Sequence, residues 1–519
     1  MGSSSTSLYA NQTDYDYLFS DPDAADWLTA LKNYADDGVV VFALSNDETA
    51  TEATLMDGLP VIEPTLTTGW LAVGNALPVF DDDGVSAVAE RYSASCLEAG
   101  PWCLMADGYW YAATDTSNSA YATAFGSSFA APQVSGALAL LAEAFPLLAP
   151  ADLRARLLAS ADNDFTGFVS AGSVDLVGGD GTFNHEYSDE FGHGFLDIRA
   201  ALLPIGPTTL AAADGTKVYT DDFAFSSGGA MGDAVTRSLD GIDLAVTDAL
   251  AASFDVPAKN FVTEAEPKAL AETLAARTFG KDLRLLRQAA VNPLSETFAA
   301  QAGSTLDLQG PDGATHAALL IGDNDTFGIA VSRSLTEGDL TVDLGVKVSR
   351  DDGSLMGFTD SSGDGGADMA SLTLALTYDT GLGGFFALTG EVGIADLSTT
   401  TAVSDTSTAG FNSIGLDIGT RGVFSAGDRL TLGVSLPIAT TSGTAEMLVP
   451  VALGDGQSEL RSVAVDLTPS ERQMDLSISY QIPMSDHSEF LLEVVHAENY
   501  GNIAGNTDQA LVIGMNWTF

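Results

Sequence analysis

The sequence predicts a multidomain chain in which an α/β domain precedes a long stretch of antiparallel β structure. Three observations carry this. The 519 residues exceed one compact domain, since domains centre on about 100–150 residues. Helix-period segments and short unbroken apolar runs alternate as far as about residue 202, the pattern of helices laid on a parallel sheet. After His316 apolar residues recur at every second position up to the last residue, the period of a strand with two unlike faces. The expected organisation is an α/β domain at 1–202, a linker and junction at 203–315, and a β domain at 316–519.

Composition narrows the function classes. Twenty basic against 71 acidic side chains give a formal net charge of −51, which repels phosphate backbones, so no nucleic-acid partner is expected. Hydrophobic residues make up 45% of the chain, enough for a large core and too many for intrinsic disorder. No run reaches the ~18 apolar residues of a membrane-crossing helix. Crossing by strands stays open, because barrel strands carry only a weak alternating signal. The first residues, Met1-Gly-Ser-Ser-Ser-Thr-Ser, lack the basic and apolar regions of a signal peptide. A cytosolic protein, or one whose front end is missing, is the expectation.

Element by element, Asp21 can cap a helix that Pro22 begins, with Trp27, Leu28, Leu31 and Tyr34 at helical spacing until Asp36-Asp37-Gly38. Gly38-Val-Val-Val-Phe-Ala-Leu44 runs apolar without alternation, as a parallel strand buried on both faces does. Ser45-Asn46-Asp47 then lies at its carboxyl end, where open α/β sheets place their sites. Gly69-Trp-Leu-Ala-Val-Gly-Asn75 reads as a second buried strand. A small-residue turn at Gly126 opens an apolar helix, another helix runs from about Asp152 to Ser160, and the domain closes near residues 192–202. A helical stretch is expected at about 264–290, and about twelve strands between 316 and 519.

The sharpest chemical signal is Gly126-Ser127-Ser128-Phe129-Ala130-Ala131-Pro132. A nucleophilic serine needs small neighbours, and a helix starting beside it turns a positive dipole end toward a reacting carbonyl. Read alone, the segment is equally a serine in a loop that caps an apolar helix. It resembles the serine motif of subtilisin-like proteases, Gly-Thr-Ser-x-Ala-x-Pro, with Ser127 in place of Thr and Val134-Ser-Gly-Ala-Leu138 following as in the family. The resemblance implies that Ser128 is the nucleophile. Phe42-Ala-Leu-Ser-Asn46 is similar to the family's Ala-Ala-Gly-Asn segment, which implies that Asn46 donates to the oxyanion; without the resemblance it is a turn residue.

The segment from Tyr92-Ser-Ala-Ser-Cys96 to Trp102-Cys103-Leu-Met-Ala-Asp-Gly108 resembles the Ser-Asn-x-Cys…Trp-Cys-x-Ala-Pro-Gly segment of the bacterial surface-displayed branch, with Asp107 where Pro is usual. It implies a disulfide between Cys96 and Cys103 and hence an oxidising compartment; two buried thiols are the alternative. Gly192-His-Gly-Phe-Leu-Asp197 resembles the sequence that closes these domains. One departure is large. The family runs Asp, His, Ser along the chain, yet the first histidine here is His185, and no Asp-Thr-Gly or His-Gly-Thr segment precedes Asn46. The triad Asp and His are thus absent from these residues, as in a front-truncated protease or a degenerate pseudoprotease, and His185 and His193 read as loop or domain-end residues. No cofactor or metal site is expected.

The β domain supplies a second resemblance. Leu511, Ile513, Met515, Trp517 and Phe519 alternate with Val512, Gly514, Asn516 and Thr518, as apolar-out and polar-in positions of a membrane barrel do. A terminal aromatic such as Phe519 resembles the insertion signal of outer-membrane proteins, and protease plus barrel resembles a serine-protease autotransporter. That implies a closed transmembrane barrel of about twelve strands, display at the surface of the Gram-negative outer membrane, a polypeptide substrate, and the outer membrane with its barrel-assembly machinery as partners. A soluble β-sandwich, a non-enzymatic adhesin-like module and a porin-like channel are the alternatives.

Overall fold

The structure, a computed structural model, describes all residues except 1–7, 83, 177–182, 212–215, 265–268, 273, 275–303, 323–325, 352–355, 358, 361–365, 401–402, 486–487 and 518–519. Phe519 and nearly all of the helix expected at 264–290 therefore lie outside the described residues. The chain forms two compact units, one of residues 1–210, 245–255 and 452–458, the other of 211–244, 256–451 and 459–519. No described helix is long and apolar enough to cross a membrane.

In the first unit, α1 (Gln12–Phe19) and α2 (Pro22–Asp37) precede β1 (Val40–Ala43). Asp21 accepts from the backbone N–H of Asp23 and Ala24 at 2.9 and 3.3 Å, satisfying donors that the first turn of a helix leaves free. Leu28, Leu31 and Ala35 form the packed stripe of α2. Trp27 and Tyr34, which share the helical spacing, stay exposed because they flank that stripe rather than lie in it.

A short α3 (Leu59–Ile62) leads to β2 (Trp70–Phe80), β3 (Val85–Arg91) and β4 (Cys103–Ala106). Strands β1 and β4 pair in parallel with β2 on either side of it. Alternate residues of β2 serve opposite faces: Trp70 and Ala72 pack with the α2 stripe, while Leu71 and Val73 pack against Val134, Ala137 and Leu141. The result is a three-layer α/β/α core. Strand β1 is only half-buried, against the expectation of full burial, because it is the edge of the described sheet.

The hairpin β5 (Tyr109–Ala113) and β6 (Tyr121–Phe125) leads into α4 (Ser127–Ala144), followed by α5 (Pro150–Ala159) and the hairpin β7 (Gly172–Asp175) and β8 (Asn184–Tyr187). Residues 203–264, read from composition as junction, carry short strands, and 245–255 belong to this first unit. Asp248 anchors them. It pairs with the fully buried Arg156 at 2.6 Å and accepts from the N–H of Ile205, Leu250 and Ala252, while the guanidinium lies 4.5 Å over Phe145. With every lone pair engaged, the buried pair is stable as it stands, and removing one partner would cost about 3–5 kcal/mol.

In the second unit eleven strands form one antiparallel sheet, from Ser304–Gln309 through Phe327–Glu337, Leu340–Asp351, Ala367–Asp379 and Gly384–Leu397 to Thr507–Trp517. The expected closed barrel is not seen among the described pairings: the first and last strands are not hydrogen-bonded to each other. Thr444–Gly454 and Gln457–Asp466 alternate like the others but pair in a different sheet, since alternation marks a strand without saying which sheet it joins. The two faces of the large sheet are unlike. Val346 and Leu372 lie opposite one another, as do Leu432 and Ile478, and all four are exposed. The other face is buried and mixes polar side chains with small and apolar ones such as Ala330, Phe385 and Phe411. There Lys347 pairs with Glu391 at 2.6 Å, Glu391 accepts from Ser371, and Ser349, Thr373 and Thr377 are buried beside them.

Candidate functional site

Two loops and one helix end meet at the carboxyl ends of the parallel strands. Asn46 follows β1, Asn75 ends the buried part of β2, and Gly108 follows β4. The N–H of Gly108 donates to Asn75 Oδ1 at 2.7 Å, and the N–H of Gly126 donates to the carbonyl of Gly108 at 3.2 Å. This brings the start of α4 onto the sheet end. Two glycines permit it. A Cβ on Gly108 would stand 2.5 Å from the Gly126 carbonyl oxygen, and one on Gly126, whose φ is +144°, would stand 3.1 Å from Asn46 Oδ1. L side chains rarely adopt that φ.

Asn46 and α4 are tied directly. The Ser127 N–H donates to Asn46 Oδ1 at 2.9 Å, and Ser127 Oγ lies 3.1 Å from the same oxygen while also reaching the Leu44 carbonyl. A backbone N–H can face only an acceptor, so the amide is fixed with Oδ1 inward and Nδ2, a donor, outward. Ser128 is exposed in the first turn of α4, where a helix leaves its N–H without an intrahelical partner and the dipole favours negative charge. The turn that carries the exposed Ser128 hydroxyl is thus tied to Asn46 through the neighbouring Ser127.

Sequence reasoning missed the residues that hold this arrangement. Ser127 appeared only as a replacement for Thr, yet its N–H orients Asn46. Asp57 was not singled out, although an acid in Leu55-Met-Asp-Gly-Leu59 interrupts an apolar run and could have been noticed. It is buried, accepts from the backbone of Ser45 next to Asn46, and burial pushes its carboxyl up to about 6.

Cys96 and Cys103 form a disulfide, with Cα atoms 6.0 Å apart. The bridge closes eight residues, worth about 2.5 kcal/mol on the chain-entropy argument. His185 and His193 are not at the site. The His193 N–H donates to the carbonyl of Cys103, at the amino end of β4, and its Nε2 is 3.1 Å from the Pro101 carbonyl. Ser128 lies at the other end of that sheet, roughly 10 Å or more away for a four-residue strand. The two histidines instead face one another, Nδ1 to Nδ1 at 2.9 Å. The Pro101 carbonyl can only accept, so His193 carries a proton on Nε2 and, as a neutral ring, accepts at Nδ1 from the Nδ1–H of His185.

Burial lowers the pKa of both rings, that of His193 to about 3. A folded pKa below the unfolded value of about 6.5 gives stability that is full above pH 6.5 and lost as pH falls toward the folded value, by up to about 1.4 kcal/mol per pH unit for each ring. The denaturation midpoint should therefore drop between pH 6.5 and 4, and His193→Gln should flatten that slope while lowering stability at pH 7. An unchanged slope in the variant would assign the acid sensitivity to other groups.

Residues 4–194 match the model of the subtilase family, Peptidase S8. None of the curated proteins matches the chain. Among solved structures it is similar to the prenylagaramide maturation protease PagA, at 20% identity over 35% of this chain and 55% of that one, with a TM-score of 0.24. It is also similar to the PatG macrocyclase in complex with peptide, at 21% identity over 34% and 46% and a TM-score of 0.23. Fervidolysin from Fervidobacterium pennivorans, a keratinolytic enzyme related to subtilisin, matches at 13% identity over 94% and 55% and a TM-score of 0.24. The chain spans about half the length of these structures. The family match and the serine motif at the head of α4 fall on the same stretch of sequence, residues 4–194, which is the part of the chain similar to the subtilase family.

Proposed function

We propose that this chain is the carboxyl-terminal part of a subtilisin-like serine endopeptidase displayed through its own outer-membrane β-barrel, with Ser128 as nucleophile and Asn46 as oxyanion donor. One observation carries the peptidase half: the Ser127 N–H holds Asn46 Oδ1 at 2.9 Å, which ties Asn46 to the turn that carries Ser128 and leaves its Nδ2–H free of that bond. When Ser128 Oγ attacks a peptide carbonyl, the oxygen gains charge between Asn46 Nδ2–H and Ser128 N–H. Both donors are already in place, so stabilising that charge needs no reorganisation. A serine hydroxyl also needs a base to take its proton. The imidazole and its carboxylate partner come from a segment outside these residues. The half-buried edge of β1 supports this, since among the described strands it pairs only with β2, and a further parallel strand would bury it. A non-enzymatic surface module is the second reading, favoured by the position of His185 and His193 at the far end of the sheet.

The membrane half rests on the large sheet of the second unit, apolar where exposed and with charged and hydroxyl side chains among its buried residues. In water such a face is an aggregation liability; against lipid it is the expected outer surface of a barrel. The outer membrane and its barrel-assembly machinery are then partners, and a polypeptide is the substrate. Expressed with a signal sequence in a Gram-negative host, the chain should sediment with the outer membrane, resist urea extraction and migrate differently with and without boiling. Urea-soluble protein without that shift would overturn this half. Deleting Phe519 should reduce assembly. The peptidase half is tested by phosphonate labelling of the completed chain, where absent labelling supports the non-enzymatic reading.

A further inference from the structure

The hairpin β5–β6 leads directly into the serine turn and carries an aromatic face that the core does not use. Tyr109 pairs with Phe125 and Ala113 with Tyr121, so with Tyr111 these side chains share one face of the hairpin. Tyr109 and Phe125 stack at 5.9 Å, Tyr111 and Tyr121 at 5.8 Å, and Tyr92 from the loop after β3 closes a triangle with the first pair, 5.0 Å from Phe125. Four of the five are exposed, Tyr111 by 72% and Tyr121 by 58%. Exposed rings stacked on one another cost apolar surface without adding to a core, which marks them as a contact surface.

The charge beside this face has one sign. Tyr92 donates to Glu90 at 2.8 Å and feels the charge of Glu48, two residues beyond Asn46. The nearby cation, Arg91, is turned toward Glu190 and the Ser93 carbonyl. Rings flanked by carboxylates suit one kind of occupant, a chain that brings cations to lie over the rings and close to the acids. Because Phe125 immediately precedes Gly126 and the N–H of Ala94, two residues after Tyr92, donates to the Ser45 carbonyl at 2.7 Å, the face lies next to the segments that carry Asn46 and Ser128. We propose that Tyr92, Tyr109, Tyr111, Tyr121 and Phe125 form a docking face for an extended polypeptide carrying Lys or Arg among apolar residues. The assignment rests on the peptidase reading and names the substrate class of that site.

Binding can be read without catalysis. The full 519-residue chain in detergent would be titrated, with tryptophan fluorescence as the readout, with two peptides identical except that one carries Arg where the other carries Glu. The Arg peptide should bind at least tenfold more tightly, and raising the salt should shrink that ratio. Tyr111→Ser, in the middle of β5, and the double variant Tyr109→Ser/Phe125→Ser should each weaken the Arg peptide about tenfold, while Glu90→Gln should weaken it and leave an uncharged peptide unchanged. Equal binding of the two peptides, or an undiminished Arg-peptide affinity in Tyr111→Ser, would overturn the proposal, the latter by placing the attraction elsewhere on an acidic chain. Discrimination by the face together with no hydrolysis by the completed chain would instead overturn the peptidase reading alone.

Discussion

Replacing Ser128 by Ala in a chain completed with its upstream protease segment should abolish both hydrolysis of peptides and labelling by serine-directed phosphonates. The expected loss in turnover is on the order of a millionfold, the size seen when a subtilisin loses its serine. The effect is this large because the nucleophile and its base act as a unit. Without the hydroxyl the imidazole has nothing to activate, and only binding and oxyanion donation remain. The same reasoning sets the expectation for the 519 residues alone. Ser128 stands in the first turn of α4, but His185 and His193 are engaged with each other and with the Pro101 carbonyl. Hydrolysis by this chain should therefore be negligible. Strong phosphonate labelling of Ser128 in the short chain would mean that a base is already present and has been misassigned.

The parts of the fold legible in the sequence were those set by local chemistry. Asp21-Pro22 starts a helix because a side-chain oxygen can take the free donors and Pro has no N–H to waste, and α2 begins there. The step from Gly126 into α4 was legible because a turn of small residues there opens into an apolar run. The half-burial of β1 was not, because an apolar run reports that a strand can be covered on both sides, and whether it is covered depends on which strand lies next to it. The sheet of the second unit shows the same limit. Alternation gave its strands and their two faces, while the separate pairing of Thr444–Gly454 and the lack of hydrogen bonds between first and last strands among the described residues depend on long-range register. At the candidate site the motif residues were readable. The roles of Ser127 and Asp57 were not, because Ser127 acts on Asn46 through a backbone N–H that any residue at that motif position would supply, and Asp57 belongs to no motif.

Asn46→Ala in the completed chain should lower turnover about 100- to 1,000-fold, the range known for such a donor in a subtilisin, with KM nearly unchanged. The split follows from when the contact forms. A neutral carbonyl gains little from a second donor, whereas the tetrahedral oxyanion needs one, so the loss falls on the transition state. Asn46 also accepts from the Ser127 N–H, and Ala removes that bond as well, so a structural contribution has to be separated. Asn46→Asp does this. It keeps Oδ1 facing Ser127 and the side-chain volume, but replaces the outward donor with a carboxylate oxygen beside the developing charge. If Asn46 acts as donor, Asp should be at least as damaging as Ala while the denaturation midpoint stays close to that of the parent. If its role is only to seat α4, Asp should restore turnover, because the bond to Ser127 survives. Ser127→Ala completes the comparison, since it leaves the backbone N–H and removes only the hydroxyl. Turnover should then stay within about tenfold of the parent, for the amide of Asn46 would remain pinned by the same hydrogen bond that orients it now.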